Sequence, residues 1–283
     1  MDIILYGFTI KTDEVLYNLR KEIGEGSVRV LYIVADAVCN FFDNYRIIKE
    51  LNSNDIEKVD FIIECEQINE AIKEKYEDKI VSADVLIKNV KFNFLKYASI
   101  RKRKISIVSC SNWGKTVYDS LYIPYNTPFI GVQINSEEYL TLIENIDLYL
   151  NDELKFGSDN TITTCTYGKL RDINIYFPND IKFVEAKKRW IHLLDRFNWN
   201  DYIFEMDNFL NERQLEEFKD INHSQKIAFY CENGTDASLK AWSDQAIRRK
   251  YRWFDDYIVQ TAYRKFDGVK PYNVLSLLEG SSC

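Results

Sequence analysis

The chain has 283 residues, 46% hydrophobic and 29% charged, a composition that supports a buried core and excludes a disordered chain. A formal net charge of −7 excludes a general nucleic-acid binder, which needs a basic face to neutralise phosphates. No apolar run reaches the ~18 residues that span a bilayer, and Met1-Asp2-Ile3 puts an acid where a signal peptide needs a base, so a cytoplasmic protein is expected.

In chain order, "IILY" (Ile3–Tyr6) predicts a strand. "TDEVLYNLRKEI" follows with Val15, Leu16, Leu19 and Ile23 on one helical face and Thr12 or Asp13 as the N-cap. Val28–Ala35 and Val59–Cys65 predict the next strands, the latter followed by the helical "QINEAIKEKY". Strand–helix–strand at this spacing implies right-handed crossovers and a parallel sheet, hence a small Rossmann-like domain over residues 1–97. "SIRKRKIS" (Ser99–Ser106), with four consecutive basic residues, reads as an exposed lead-in to a second domain, residues 98–283. There "ISIV", "FIGVQI", "DINIYF", "YIFEM" and "KIAFY" are strand candidates. Trp113–Leu121, Glu137–Leu150, Phe183–Asp195 and Glu212–Asp220 are helical by periodicity. The fold class is therefore α/β, with a mainly parallel or mixed sheet in the larger second domain.

Several stretches carry candidate chemistry. The turn "GFTIKTD" after the first strand has Gly7 alone where dinucleotide binding needs three glycines, so NAD is not expected even though Asp36 stands where a ribose-binding acid would. "SCSNWGKT" ends like a phosphate-binding loop through Gly114, Lys115 and Thr116, but Ser109 replaces the first glycine. Bulky Trp113 also opposes the backbone conformations such a cradle requires. Two readings remain for this turn. Ser111 and Asn112 cap a helix and nothing more, or the free N–H groups of that helix hold an anion. A nucleophilic Cys110 or Ser111 would need a base, and the chain's two histidines offer no motif: His192 lies on a helix and His223 in a loop. The six cysteines lie far apart and form no C-x-x-C pair, so zinc is not indicated and free thiols are expected. No cofactor is named by any motif. "IRRKYRWFDDY" (Ile247–Tyr257) interleaves basic and aromatic residues and reads as a solvated helix with its rings inward.

"SNWGKTVYDSLYIPYNTPFIGVQI", "EEYLTLIENIDLYL", "YGKLRDINIYF" and "AKKRWIHLLDRFNWND", in that order, resemble the bacterial domain-of-unknown-function family nineteen-nineteen. Its members are often labelled exopolysaccharide or capsule biosynthesis proteins. The family turn commonly reads Ser-Asn-Asn-Cys-Trp-Gly-Gly; here Asn112 replaces the cysteine, which counts against an essential thiol. What the resemblance implies is a link to surface polysaccharide: a transferase on a sugar or nucleotide sugar, or else a non-catalytic binder of such a ligand or of the assembly machinery.

The same segments make physical sense as one site for an anionic sugar derivative. Ser111, Asn112, Trp113 and Gly114 would form the turn, and Pro124 and Pro128 would present Tyr125, Asn126 and Thr127 to the sugar. Lys169 and Arg171 would clamp a phosphate beside Asp172, while Arg196 and Asn198 of "RFNW" complete the binding set. The weak catalytic candidates are Ser111, Asp172 and His192.

Overall fold

The computed structural model describes residues 1–88, 92–156, 166–178, 181–206, 212–223, 225–231, 238–243, 250–252 and 274–279. It is an α/β fold that divides into two compact units. The first holds Met1–Ala98 with Ser120–Pro124, and the second holds Ser99–Asp119 and the described residues from Tyr125 on.

In the first unit the apolar runs form strands β1 (Asp2–Tyr6), β2 (Arg29–Val34), β4 (Tyr45–Ile48), β5 (Phe61–Glu64) and β6 (Ile80–Ser82), all parallel, with β3 (Phe41–Phe42) added antiparallel. The strand order is β3-β4-β2-β1-β5-β6, so the direction of growth reverses between β1 and β5. Helices α1 (Ile10–Asn18), α2 (Arg20–Gly24), α3 (Ser53–Lys58), α4 (Glu70–Lys75) and α5 (Ala83–Ile87) lie between strands or follow them. Ile4, Val34, Ile56, Ile62 and Ile80 belong to its core. Lys79 ties β6 to the end of α3, its ammonium donating to the carbonyls of Ile56, Glu57 and Val59 at 2.8, 3.1 and 2.9 Å. These are carbonyls that a helix end leaves unsatisfied.

Four expectations change here. The N-cap of α1 is Thr9, and Thr12 turns inward, its hydroxyl donating to the Gly7 carbonyl at 2.8 Å and accepting from the Thr9 N–H at 3.0 Å. The predicted single helix breaks at Leu19 into α1 and α2. The short strands β3, β4 and β6 carry too few alternating residues for periodicity to reveal them. The basic "SIRKRKIS", expected as an exposed lead-in, lies mostly in helix α6 (Phe94–Arg103), where Lys102 is exposed but Arg101 is buried.

The second unit is built on a mixed sheet in the order β14-β13-β12-β11-β7. Strands β7 (Ser106–Ser109), β11 (Tyr202–Met206) and β12 (Lys226–Cys231) are parallel, and β13 (Ser238–Ser243) and β14 (Lys250–Arg252) extend them antiparallel. A separate antiparallel sheet joins β8 (Lys155–Phe156), β9 (Tyr167–Leu170) and β10 (Ile173–Tyr176). The helices are α7 (Trp113–Leu121), which passes into the first unit at Ser120, then α8 (Ser136–Glu144), α9 (Ile146–Leu150), α10 (Phe183–Leu194), α11 (Glu212–Asp220) and α12 (Val274–Glu279). Val108, Phe129, Tyr139, Trp190, Phe204 and Met206 share one core cluster.

The helix predicted over Glu137–Leu150 is two, parted at Asn145. "FIGVQI" is not a strand. Gly131 takes φ +67°, which breaks extended backbone, and Gln133 alone bridges to Tyr176. Lys250–Arg252 is strand rather than helix, and the rest of "IRRKYRWFDDY" lies outside the described residues. No helix among the described residues is long and apolar enough to cross a membrane.

Candidate functional site

The turn Cys110–Asn112 joins the carboxyl end of β7 to α7, as its sequence predicts. Gly114 is needed for packing: a Cβ there would stand 3.2 Å from Ile107 Cγ2 and from Ser109 Cβ, so α7 lies close on β7. Trp113 is completely buried and serves the core. The N–H groups expected to be free for an anion go to serine hydroxyls instead. Trp113 N–H donates to Ser111 Oγ at 3.2 Å, and the N–H groups of Ser111 and Gly114 reach Ser109 Oγ at 3.2 and 3.5 Å. A side-chain acceptor a few residues away satisfies these donors with little ordering cost. These three donors of the turn are thus capped from within.

Side chains come together on one face of α7. Gly131, at the bend after Phe129 and Ile130, is the meeting point. A Cβ added there would lie 3.4 Å from Lys115 Cδ, 3.5 Å from Asn112 Oδ1 and 3.6 Å from Pro178 Cγ. The bend is held by half-buried Arg189 of α10, whose Nη2 donates to the Ile130 carbonyl at 3.0 Å. One turn along α7 from Lys115, Asp119 accepts from its ammonium at 2.5 Å and from the Tyr125 hydroxyl. Burial first, and then the Asp119 carboxylate, push the Tyr125 hydroxyl above the ordinary tyrosine range, while the charge of Arg189 pulls it down. Tyr125 therefore keeps its proton and acts as a donor.

The other expected residues divide by position. Asn126 and Thr127 are buried rather than presented. The Asn126 carbonyl accepts from Ser106 Oγ at 2.5 Å, and Ser106 Oγ in turn accepts from Asn198 N–H at 2.8 Å. Asn198 also donates to the Arg103 carbonyl at 2.8 Å. Both asparagines thus secure the start of β7, the end opposite the turn, where buried backbone groups need partners. Thr127 Oγ1 accepts from Phe129 N–H at 3.3 Å. Arg196 follows α10; burial raises the Tyr118 hydroxyl, against its backbone bonds and the charge of nearby Arg196. His192 is exposed on α10, and His223 is engaged by the Tyr202 carbonyl at 2.8 Å.

Arg171 and Asp172 are not brought to the turn, and Lys169 lies opposite Asn174, partway along the hairpin. Arg171, at φ +57°, and Asp172 make the β9–β10 hairpin tip. Arg171 pairs with Asp152 at 3.5 Å, and Asp172 accepts from the Tyr149 hydroxyl of α9 at 2.8 Å. The bridge from Gln133 fixes the other end of β10, at Tyr176. At ~3.3 Å per extended residue the hairpin tip lies well over 10 Å away. The segment "YGKLRDINIYFP" does reach the turn, but through Pro178.

Sequence reasoning did not single out Asp119 or Arg189, and it gave Gly131 to a strand. It also missed Glu205. This carboxyl is completely buried in β11, in register with Ser109, whose Oγ donates to it at 2.5 Å. The available signal was an acid inside the apolar run "YIFEM". Among the described residues no group of three or more His, Cys, Asp or Glu is placed to hold a metal. Of the described cysteine side chains, Cys39 is exposed and Cys65 and Cys110 are buried.

A family model described as a domain of unknown function (DUF1919) matches residues 83–272. The chain belongs to this family. The match spans the turn, the Gly131 bend, Tyr125, Arg189 and Glu205, and leaves β1 to β6 outside it. An uncharacterized protein of Haemophilus influenzae is 24% identical over 175 residues, covering 60% of this chain and 84% of that protein.

Proposed function

We propose that the second unit binds an anionic sugar derivative, such as a sugar phosphate or nucleotide sugar, across the face of Asn112, Lys115, Tyr125 and Arg189. The observation that supports this most is the convergence at Gly131, where chain segments far apart in sequence meet without an intervening side chain. Arg189 spends one donor on Ile130 and carries a planar fork suited to phosphate or carboxylate. Asn112 and Tyr125 add amide and hydroxyl groups of the kind that read sugar hydroxyls. The surface-polysaccharide setting rests on the labels borne by members of the family that the sequence resembles.

Binding is the reading this geometry favours, because Tyr125 is held protonated and turned to Asp119. A transferase acting on a sugar-linked substrate is the second reading. Asp119 favours it, a carboxylate 45% exposed beside Lys115 and Tyr125 that can exchange a proton with a bound hydroxyl.

The test is calorimetric titration of the full chain with sugar phosphates, nucleotide sugars and the matching neutral sugars. Anionic forms should bind and neutral ones should not. Arg189→Ala or Lys115→Ala should weaken binding by about 1.5–3 kcal/mol, the range for a hydrogen bond to a charged group. Equal binding by wild type and both variants would end the proposal.

A further inference from the structure

Glu205 is an ionisable residue at a completely buried strand position. Its neighbours Phe204 and Met206 face the core shared with Val108, so Glu205 points to the opposite side of the sheet, with Ser109 and beneath the start of α7. A buried carboxyl costs more than a leucine would at such a place. It is joined to the turn by one atom. Ser109 Oγ lies 2.5 Å from Glu205 Oε2 and 3.0 Å from the Ser111 carbonyl, and it faces the N–H groups of Ser111 and Gly114 at 3.2 and 3.5 Å. A hydroxyl has one hydrogen and two lone pairs. With the carboxylate in place, that hydrogen is drawn to Glu205, and the lone pairs face the two N–H groups. Without it, the hydrogen turns to the Ser111 carbonyl and the lone pairs rotate away from the turn.

We infer that Glu205 is a positioning residue of the ligand face: through Ser109 it fixes the turn that carries Asn112 and Lys115. The close approach of Gly114 to Ile107 and Ser109 leaves the turn no room to settle inward once this bond is lost. The inference rests on the ligand-binding reading proposed above for what the turn positions. Its own content is the link from Glu205 to Ser109 to the turn.

The test uses the full chain at one fixed pH, inorganic phosphate as the probe, and amide NMR spectra. Glu205→Leu should fold with a melting temperature at or above wild type, since a buried polar group is removed. It should shift the Ser111 and Gly114 amides and bind phosphate roughly tenfold more weakly, the worth of about one hydrogen bond. Ser109→Ala should do the same, and the double variant should be no weaker than either. Glu205→Gln, whose amide oxygen still accepts from Ser109, should restore both the amide positions and the affinity. A purely structural role would show no such rescue. Should Glu205→Leu fail to fold, Ser109→Ala alone carries the comparison. Phosphate bound by the variants as by wild type overturns the inference and leaves the binding reading standing. If wild type itself ignores phosphate, that reading loses its support and the amides decide: unmoved Ser111 and Gly114 signals in Ser109→Ala overturn the inference too.

Discussion

Strand–turn–helix units open both halves of the molecule, and the two turns are finished in opposite ways. After β1, Gly7 at φ +103° lies so close to the segment beyond β5 that a Cβ would stand 2.4 Å from Glu66 Cβ and 2.8 Å from its backbone nitrogen. The Glu66 N–H donates to the Tyr6 carbonyl at 3.0 Å, and Thr12 fills the space behind. Where the strand order reverses, an open α/β sheet usually leaves a crevice, but here the backbone closes it. After β7 the turn is capped from within by Ser109 and Ser111, and Gly131 meets it at ordinary van der Waals distances, with Asn112 Oδ1 and the Lys115 stem around the position a Cβ would take. A glycine in the left-handed region thus meets backbone at one edge and side chains at the other. What surrounds the missing Cβ separates the two cases.

The comparison is broken most sharply by adding that Cβ. Gly7→Ala combines a positive φ with a collision against backbone, and should destabilise the first unit by about 3 kcal/mol or more in urea unfolding. A loss below about 1 kcal/mol would mean that the seal at Glu66 is loose.

Gly131→Ala meets no such collision. It should cost about 1–2 kcal/mol for the left-handed backbone alone and leave the chain folded, while its methyl, between Asn112 and Lys115, abolishes anion binding in calorimetry. Wild-type affinity in that variant would show that ligand does not use the bend.

The smallest effect concerns the same edge of the first unit as Gly7. Asp84, after β6, is held below the ordinary carboxylate range by hydrogen bonds from Lys88 and then Lys11, and the two lysines are raised in turn. A depressed carboxylate stabilises the fold above its unfolded value and loses that contribution as the pH falls through the folded one. Asp84→Asn should therefore be less stable than wild type near neutral pH, by no more than about 1 kcal/mol because the pairs are solvent-screened. The difference should vanish once the pH falls below the depressed value. A difference that persists in acid would assign the effect to something other than these ion pairs.

Composition and periodicity alone determined the α/β class, strands β1, β2, β5, β7, β10, β11 and β12, the bounds of α7 and α11, and the place of the turn at Cys110–Asn112. These follow from local rules: an apolar run needs a sheet, an apolar stripe needs a helix, and Ser111 needs an N–H to cap. Local rules also named Tyr125 and Asn112 as polar groups near a strand end. Only tertiary structure decided which of them face outward. Asn126 and Asn198 read as sugar donors but are drawn to the start of β7, because backbone groups buried there must be bonded. Arg171 and Asp172 sit in the right segment, yet the bridge at Gln133 holds the opposite end of β10. Arg189 and Glu205 carry no motif, and each matters through one atom of a residue 59 or 96 positions away. Spacing along a chain reports which face of one element a residue occupies, and it holds no information about which distant element lies across from that face.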